Sequence, residues 1–178
     1  PGDVKNQQRY RARFVMKGFQ EKKGVDLDEI FSSIIKMKSI QTVLSIVVSM
    51  NLEVEQVDVK ISFLHGDLDE EICMLQPEAF VKKGKESLVF RLKQSWYRLK
   101  QAPRQWYRKF DSFKTDQGYH KTQVDHCVIV KKFDGEDFRI WLLYVDDMLI
   151  VGQVPMKMRM LKKALNQSFS MIETGPTR

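Results

Sequence analysis

Histidine and cysteine are nearly missing from this 178-residue chain, with three and two residues respectively. The histidines, His65, His120 and His126, stand apart from one another, and Cys73 and Cys127 form no CxxC pair. Zinc is held by closely spaced Cys and His ligands, so zinc chemistry is set aside. Two distant thiols suggest a reducing, intracellular setting and two ordinary core residues. Proline and glycine are sparse as well, at 5 and 9 residues, and there is no internal repeat, low-complexity tract or long linker. No apolar run approaches the roughly 20 residues that span a bilayer, and the opening "PGDVKNQQRYR" has no secretory pattern, so no membrane partner is expected. Acidic residues are outnumbered, 23 against 30 basic, for a net charge of +7.

What is present is a globular composition, 43% hydrophobic and 11% aromatic, in a chain long enough for one good core or two lobes sharing a site. The charge is unevenly spread. Lys82 to Lys114 carries eleven Lys or Arg against Glu86 and Asp111, whereas Asn51 to Phe80 carries eight acids against Lys60. Arg9, Arg11, Arg13 and Lys17 open the chain as a basic arm. One sign of charge on one segment attracts polyanions, although a set of solvated basic faces would look the same.

Three segments have helical periodicity. In "SIQTVLSIVVSMN", Ile40, Val43, Leu44, Val47 and Val48 form a stripe, with Ser39 as N-cap and Asn51 as stop. In "APRQWYRKFDSFKTDQG", Trp106, Phe110 and Phe113 share a face, Pro103 suits the first turn and Gly118 the position past the end. In "PMKMRMLKKALNQSF", Pro155 opens a helix with Met160, Leu161, Ala164, Leu165 and Phe169 inward. "LEVEQVDV" alternates as a strand; "ICMLQ" and "SLVFRLK" are weaker strands. "CVIVKKF" and "FRIWLLYV" read as a hairpin around Asp134-Gly135, and "MLIVG" follows. The expected fold class is α+β, with helices packed on a largely antiparallel sheet.

Asp146 and Asp147 interrupt the most apolar run of the chain, "LLYVDDMLIVG". Aspartates are common in tight turns, because the side chain bonds its own backbone, and the pair fits a two-residue turn between two strands. These flanks are too apolar for a wet turn, however, and a second strand, "QVDVK", places Asp58 between two valines. Converging carboxylates repel and raise one another's pKa. Divalent cations relieve this, and Mg2+ takes hard oxygen ligands while leaving positions for water and phosphate. Two such ions about 4 Å apart serve phosphoryl transfer.

"YVDD" at Tyr144–Asp147 resembles the catalytic box of reverse transcriptases. "RYRARFVMKGF", "QVDVKISFLHGDLDEEI", "QPEAFV", "RLKQSWYRLKQAPRQWYRKFDSF", "DHCVIVKK" and "LLYVDDMLIVG" follow in the order typical of copia-type long-terminal-repeat retrotransposon polymerases, from about Tyr10 onward. The resemblance implies a right-hand polymerase with fingers over about 1–38 and 68–102 and palm over about 39–67 and 103–178, with thumb and RNase H absent. It implies two Mg2+ ions (or Mn2+), a template of RNA or DNA with its primer, dNTPs, the remaining regions of a parent Pol polyprotein, and a cytoplasmic retrotransposon particle. Asp58, Asp146 and Asp147 match the metal-binding carboxylates, and the backbone carbonyl of Val59 matches a further ligand. Phe63 matches the aromatic residue that blocks a 2′-OH. Gln101 matches the glutamine that contacts the incoming nucleotide, and Arg11, Arg13 and Lys17 match the basic strand over the triphosphate.

The chain departs from the family at several points. Ile61-Ser62 stands where Thr-Ala is usual, Trp96 and Arg98 where Leu and Gly are usual, and Ser33 and Ala79 where Pro and Gly are usual; the tail "MIETGPTR" also differs. A positive φ at the usual glycine would strain Arg98 by about 1 kcal/mol. The main alternative reading is a catalytically inactive, nucleic-acid-binding remnant. A more remote one is an interaction or metal-binding domain unrelated to nucleic acid.

Overall fold

The computed structural model describes residues 15–22, 24, 29–135 and 137–176. Arg11 and Arg13 lie outside the described residues. Helix α1 spans Met37–Met50, α2 Ala102–Asp116 and α3 Pro155–Ser168. The strands are β1 Glu53–Val59, β2 Cys73–Leu75, β3 Val89–Arg91, β4 His120–Lys121, β5 Val128–Lys132, β6 Phe138–Tyr144, β7 Asp147–Gly152 and β8 Met171–Pro176. Six of them form one sheet in the order β4-β5-β6-β7-β1-β8, and β2 and β3 form a separate ribbon. Every strand pair is antiparallel, as the alternating patterns predict.

Burial alternates along the ends of β1 and β7 that meet at the aspartates. Val57 and Val59 of β1, Met148 and Ile150 of β7, and Trp141 and Leu143 of β6 are buried in one core with Trp106 and Phe110 of α2 and with Met158, Leu161 and Leu165 of α3. The opposite side chains on β1 and β7, Gln56, Asp58, Asp147 and Leu149, are only partly covered. That face carries the polar residues of interest. A second, smaller core gathers Met16, Ile72, Leu92, Leu99 and Ala102, with Trp96 and Phe63 packed on its margin.

The helix ends follow local chemistry. Asn51 takes the left-handed conformation (φ 50, ψ 51) and stops α1, and Gly118 at φ 74 follows α2. Pro103 and Pro155 sit in the first turns of α2 and α3, where a missing N–H removes no helical bond. The start of α1 differs from expectation. The cap position is Lys36, not Ser39, and it makes no side-chain capping bond. Asp125, far along the chain, caps the helix instead: its Oδ2 accepts from the Lys36 N–H at 2.8 Å and from the Ser39 hydroxyl at 2.7 Å.

Three expectations about burial are corrected. Leu44 and Val48 are 42% and 82% exposed, because α1 touches the sheet along the narrower line of Ile40, Val43 and Val47. Met160 faces outward, since the inward row of α3 is Met158, Leu161 and Leu165. Cys73 is exposed while Cys127 is buried, because the two-stranded ribbon that holds Cys73 lacks a covering layer on that side. Among the described residues, no helix is long and apolar enough to cross a membrane.

Candidate active site

The site is assembled by strand register. In the β1–β7 ladder Asp58 is the direct partner of Asp147, and Tyr144 of β6 pairs with the same Asp147. Residues directly opposite in an antiparallel pair have Cβ atoms about 4.5–5.5 Å apart. Two carboxylates from distant parts of the chain are therefore neighbours on one face. The side-chain amide of Gln56, two residues before Asp58 on the same face, donates to Asp147 Oδ1 at 3.4 Å. The register of β1 against β8 shifts between Gln56 and Val57, and such irregularities re-aim the side chains that follow.

The turn lies one residue earlier than the sequence suggested. Its two loop residues are Val145 and Asp146, while Asp147 already opens β7. Asp147 is held in the ladder on both sides, so the reversal is completed before it. Val145 makes the reversal at φ 57, a conformation that a β-branched residue rarely adopts and that costs about 1–3 kcal/mol. The turn is held from two directions. The Trp106 indole N–H donates to the Val145 carbonyl at 2.6 Å, and the Val59 N–H donates to the Asp146 carbonyl at 3.1 Å.

Asp58, Asp146 and Asp147 are all partly exposed. Among the described residues, no three His, Cys, Asp or Glu side chains stand gathered as a ready metal cage. The backbone thus brings the three aspartates together without closing their side chains on a common point. The donor set of hard carboxylate oxygens suits an Mg2+-like cation, and like charges placed directly opposite each other favour one. Beside the carboxylates, Ile35, Ile40, Leu142, Tyr144 and Leu149 line a mainly apolar pocket of about 290 Å³ that also touches Gln56 and Asp147.

The other expected residues lie on the segments next to β1 and α2. Ile61 takes a left-handed conformation (φ 49) and leads into a single 3-10 turn, Ser62–His65. Phe63 in that turn is half-buried and meets Tyr97 edge-on, with ring centroids 5.4 Å apart. Lys17 is exposed, beside a segment that straps onto the turn before α2. The Met16 N–H donates to the Tyr97 carbonyl at 3.0 Å. Glu21 accepts from the Lys100 N–H through Oε2 at 2.9 Å, and the Lys100 ammonium donates to the Glu21 carbonyl. Arg98 stands in this turn at φ 71, the positive angle considered for the usual glycine. Gln101 follows at the start of α2. It is fully buried, and neither amide atom has a hydrogen-bond partner. A buried amide without partners is costly to the fold.

His65 lies behind the turn, edge-on to Phe169 at 5.4 Å and 6.1 Å from the Trp106 ring. Burial, with a smaller push from the Lys109 charge, holds its pKa below the ordinary value despite a bond to the Lys60 backbone. Sequence reasoning missed Gln56, Asp125 and Glu21. Only Gln56 left a signal, its two-residue spacing from Asp58.

A reverse transcriptase (RNA-dependent DNA polymerase) family profile matches residues 2–178. The chain is 57% identical over 170 residues to the retrovirus-related Pol polyprotein from transposon TNT 1-94 of Nicotiana tabacum, covering 96% of this chain and 13% of that protein. It is 38% identical over 165 residues to the Pol polyprotein from transposon RE2 of Arabidopsis thaliana, covering 93% of this chain and 11% of that protein. The corresponding protein from transposon RE1 is 36% identical over 162 residues, with 91% and 11% covered. No solved structure matches the chain. The chain therefore spans only a small part of the relatives it resembles. The match over nearly its whole length agrees with the order of its motifs: the chain belongs to the reverse transcriptase family.

Proposed function

We propose that this chain is the palm-and-fingers part of an RNA-directed DNA polymerase within a copia-type retrotransposon Pol polyprotein. It would extend a primer 3′-OH on an RNA or DNA template with dNTPs, in a cytoplasmic particle. The observation that carries this reading is the direct pairing of Asp58 with Asp147 beside the Asp146 turn.

Asp58, Asp146, Asp147 and the Val59 carbonyl would hold two Mg2+ ions. When bound, such ions lower the pKa of the attacking hydroxyl and neutralise charge on the triphosphate. The residues of the chain do the positioning. Gln56 orients the Asp147 carboxylate through its amide. Phe63, braced by Tyr97, limits the space open to a 2′-OH. Lys17 adds positive charge for the triphosphate. Gln101 offers an unpaired amide to the nucleotide once a rearrangement uncovers it.

Single-nucleotide extension of a primed RNA template in Mg2+ tests the reading. Incorporation is expected, and Asp146→Asn should reduce it to background. Incorporation that survives Asp146→Asn removes the assigned site.

A second reading, template binding without chemistry, draws support from the strained Arg98 and the closed-off Gln101. It predicts that the wild-type chain binds primed template with an affinity that falls steeply as salt rises, yet adds no nucleotide.

A further inference from the structure

Trp106 is fully buried, and its ring stands edge-on to Phe169 with centroids 5.1 Å apart. Packing alone would be served by any large apolar ring. The indole N–H does something else. It reaches 39 residues along the chain to the carbonyl of Val145, the residue whose left-handed backbone makes the turn before Asp146.

We infer that Trp106 is a positioning residue, whose hydrogen bond holds Val145 left-handed and so fixes the directions of Asp146 and Asp147. Val145 occupies the first position of a two-residue hairpin loop. Where that position has positive φ, glycine is the usual occupant because only it takes the angle without strain. Here the strained residue is retained by a donor from α2, the helix that begins beside Gln101. One rigid element thus joins the nucleotide side of the site to the turn that carries the carboxylates. The consequence for catalysis rests on the proposed polymerase reading; the effect on the turn does not.

A double-substitution cycle tests the inference. Trp106→Phe removes the donor and keeps a ring. Val145→Gly removes the need for the donor. The readouts are Mn2+ affinity by electron paramagnetic resonance, amide hydrogen exchange at Asp146 and Asp147, and the kcat and KM of nucleotide incorporation. Loss of one buried hydrogen bond should weaken Mn2+ binding about tenfold and speed exchange of the two turn amides by a similar factor. The incorporation loss should fall in kcat rather than in the KM for nucleotide. In the Val145→Gly background the same Trp106→Phe change should cost no more than about twofold.

An equal penalty in both backgrounds overturns the inference, because it assigns Trp106 to packing alone. Unchanged exchange and Mn2+ affinity in Trp106→Phe overturn it too. If Trp106→Phe does not fold, replacement by 3-benzothienylalanine removes only the donor from an isosteric ring and is read in the same way. Failure of the polymerase reading looks different. Wild-type protein would then bind no Mn2+ and add no nucleotide, while the exchange cycle would still report on Trp106.

Discussion

Asp58 of β1 and Asp147 of β7 face each other as direct partners across an antiparallel ladder. Like charges opposite one another destabilise a sheet by about 0.2–1 kcal/mol. In chelator, Asp58→Asn should therefore be more stable than wild type by that order. In Mg2+ the ranking should reverse, since a cation that binds only the folded state adds stability by mass action. Thermal melts with and without Mg2+ check both signs. A variant less stable than wild type in chelator would contradict the repulsion argument.

Asp125 ties α1 to the loop before β5. Its carboxylate accepts from the Lys36 N–H, the Ser39 hydroxyl and the Cys127 N–H. Burial alone would raise its pKa, but these bonds and the Lys36 charge outweigh burial and hold it below the usual carboxylate value. Asp125→Ala should cost about 1–3 kcal/mol in urea denaturation, as a lost cap that strands buried donors. A carboxyl with a depressed folded pKa contributes stability above its unfolded pKa, and that contribution fades as pH falls through the folded value. Asp125→Asn should accordingly flatten the acid limb below about pH 4.

Arg98 holds φ 71, and its carbonyl lies only 1.8 Å from where a Cβ on Gly18 would sit. Arg98→Gly should relieve about 1 kcal/mol of strain and raise the melting temperature by about 2–4 °C. Gly18→Ala should act in the opposite direction, forcing the Met16–Glu21 strap off the turn before α2. Proteolysis or amide exchange across the strap would report the release. A lower melting temperature in Arg98→Gly would count against the strain.

His65 gives a second titration, separate from that of Asp125. Its pKa is lowered by burial, so the folded state prefers the neutral ring. Between the depressed value and the ordinary 6.5 the unfolded chain binds more protons, so stability rises with pH there. The contribution is complete above 6.5 and is lost as pH falls below it. His65→Gln should flatten the stability profile on the acid side of about pH 6.5 without altering the limb below about pH 4.

The two thiols should differ sharply in reactivity. Cys73 is exposed, whereas Cys127 is fully buried and its pKa is pushed up to about 11 by burial and by the nearby Asp125 charge. A maleimide should label one thiol in the folded protein at neutral pH and both in denaturant, with mass spectrometry placing the first label on Cys73.

Most regular elements were legible because periodicity and punctuation agreed. Pro103, Gly118, Pro155 and Asn51 mark helix ends where the structure has them, and the alternation around Asp58 marks β1. The family was legible through the order of its motifs. The rest depends on contacts that no local pattern encodes. Ser39 has the chemistry of a cap, yet the cap comes from Asp125. The turn falls on Val145 and Asp146 because both neighbours of β7 hold Asp147 in register. The two residues of β4 are too short to show a period, and β8 becomes a strand by completing the edge beside β1. Nothing in the sequence around Trp106 announces that its indole N–H would meet a carbonyl in another motif.

The placement of β1 between β7 and β8 also sets an order of assembly. Gln56 and Asp147 meet across 91 residues of chain, and the other neighbour is made later still. Such non-local pairing slows folding, because the intervening loop must close before any contact rewards it. During synthesis the strand bearing Asp58 precedes both of its neighbours, so one edge stays open until β7 has followed and the other until β8 has. The pairing of Asp58 with Asp147 thus waits for β7, and the sheet around it closes only when β8 joins the other edge of β1.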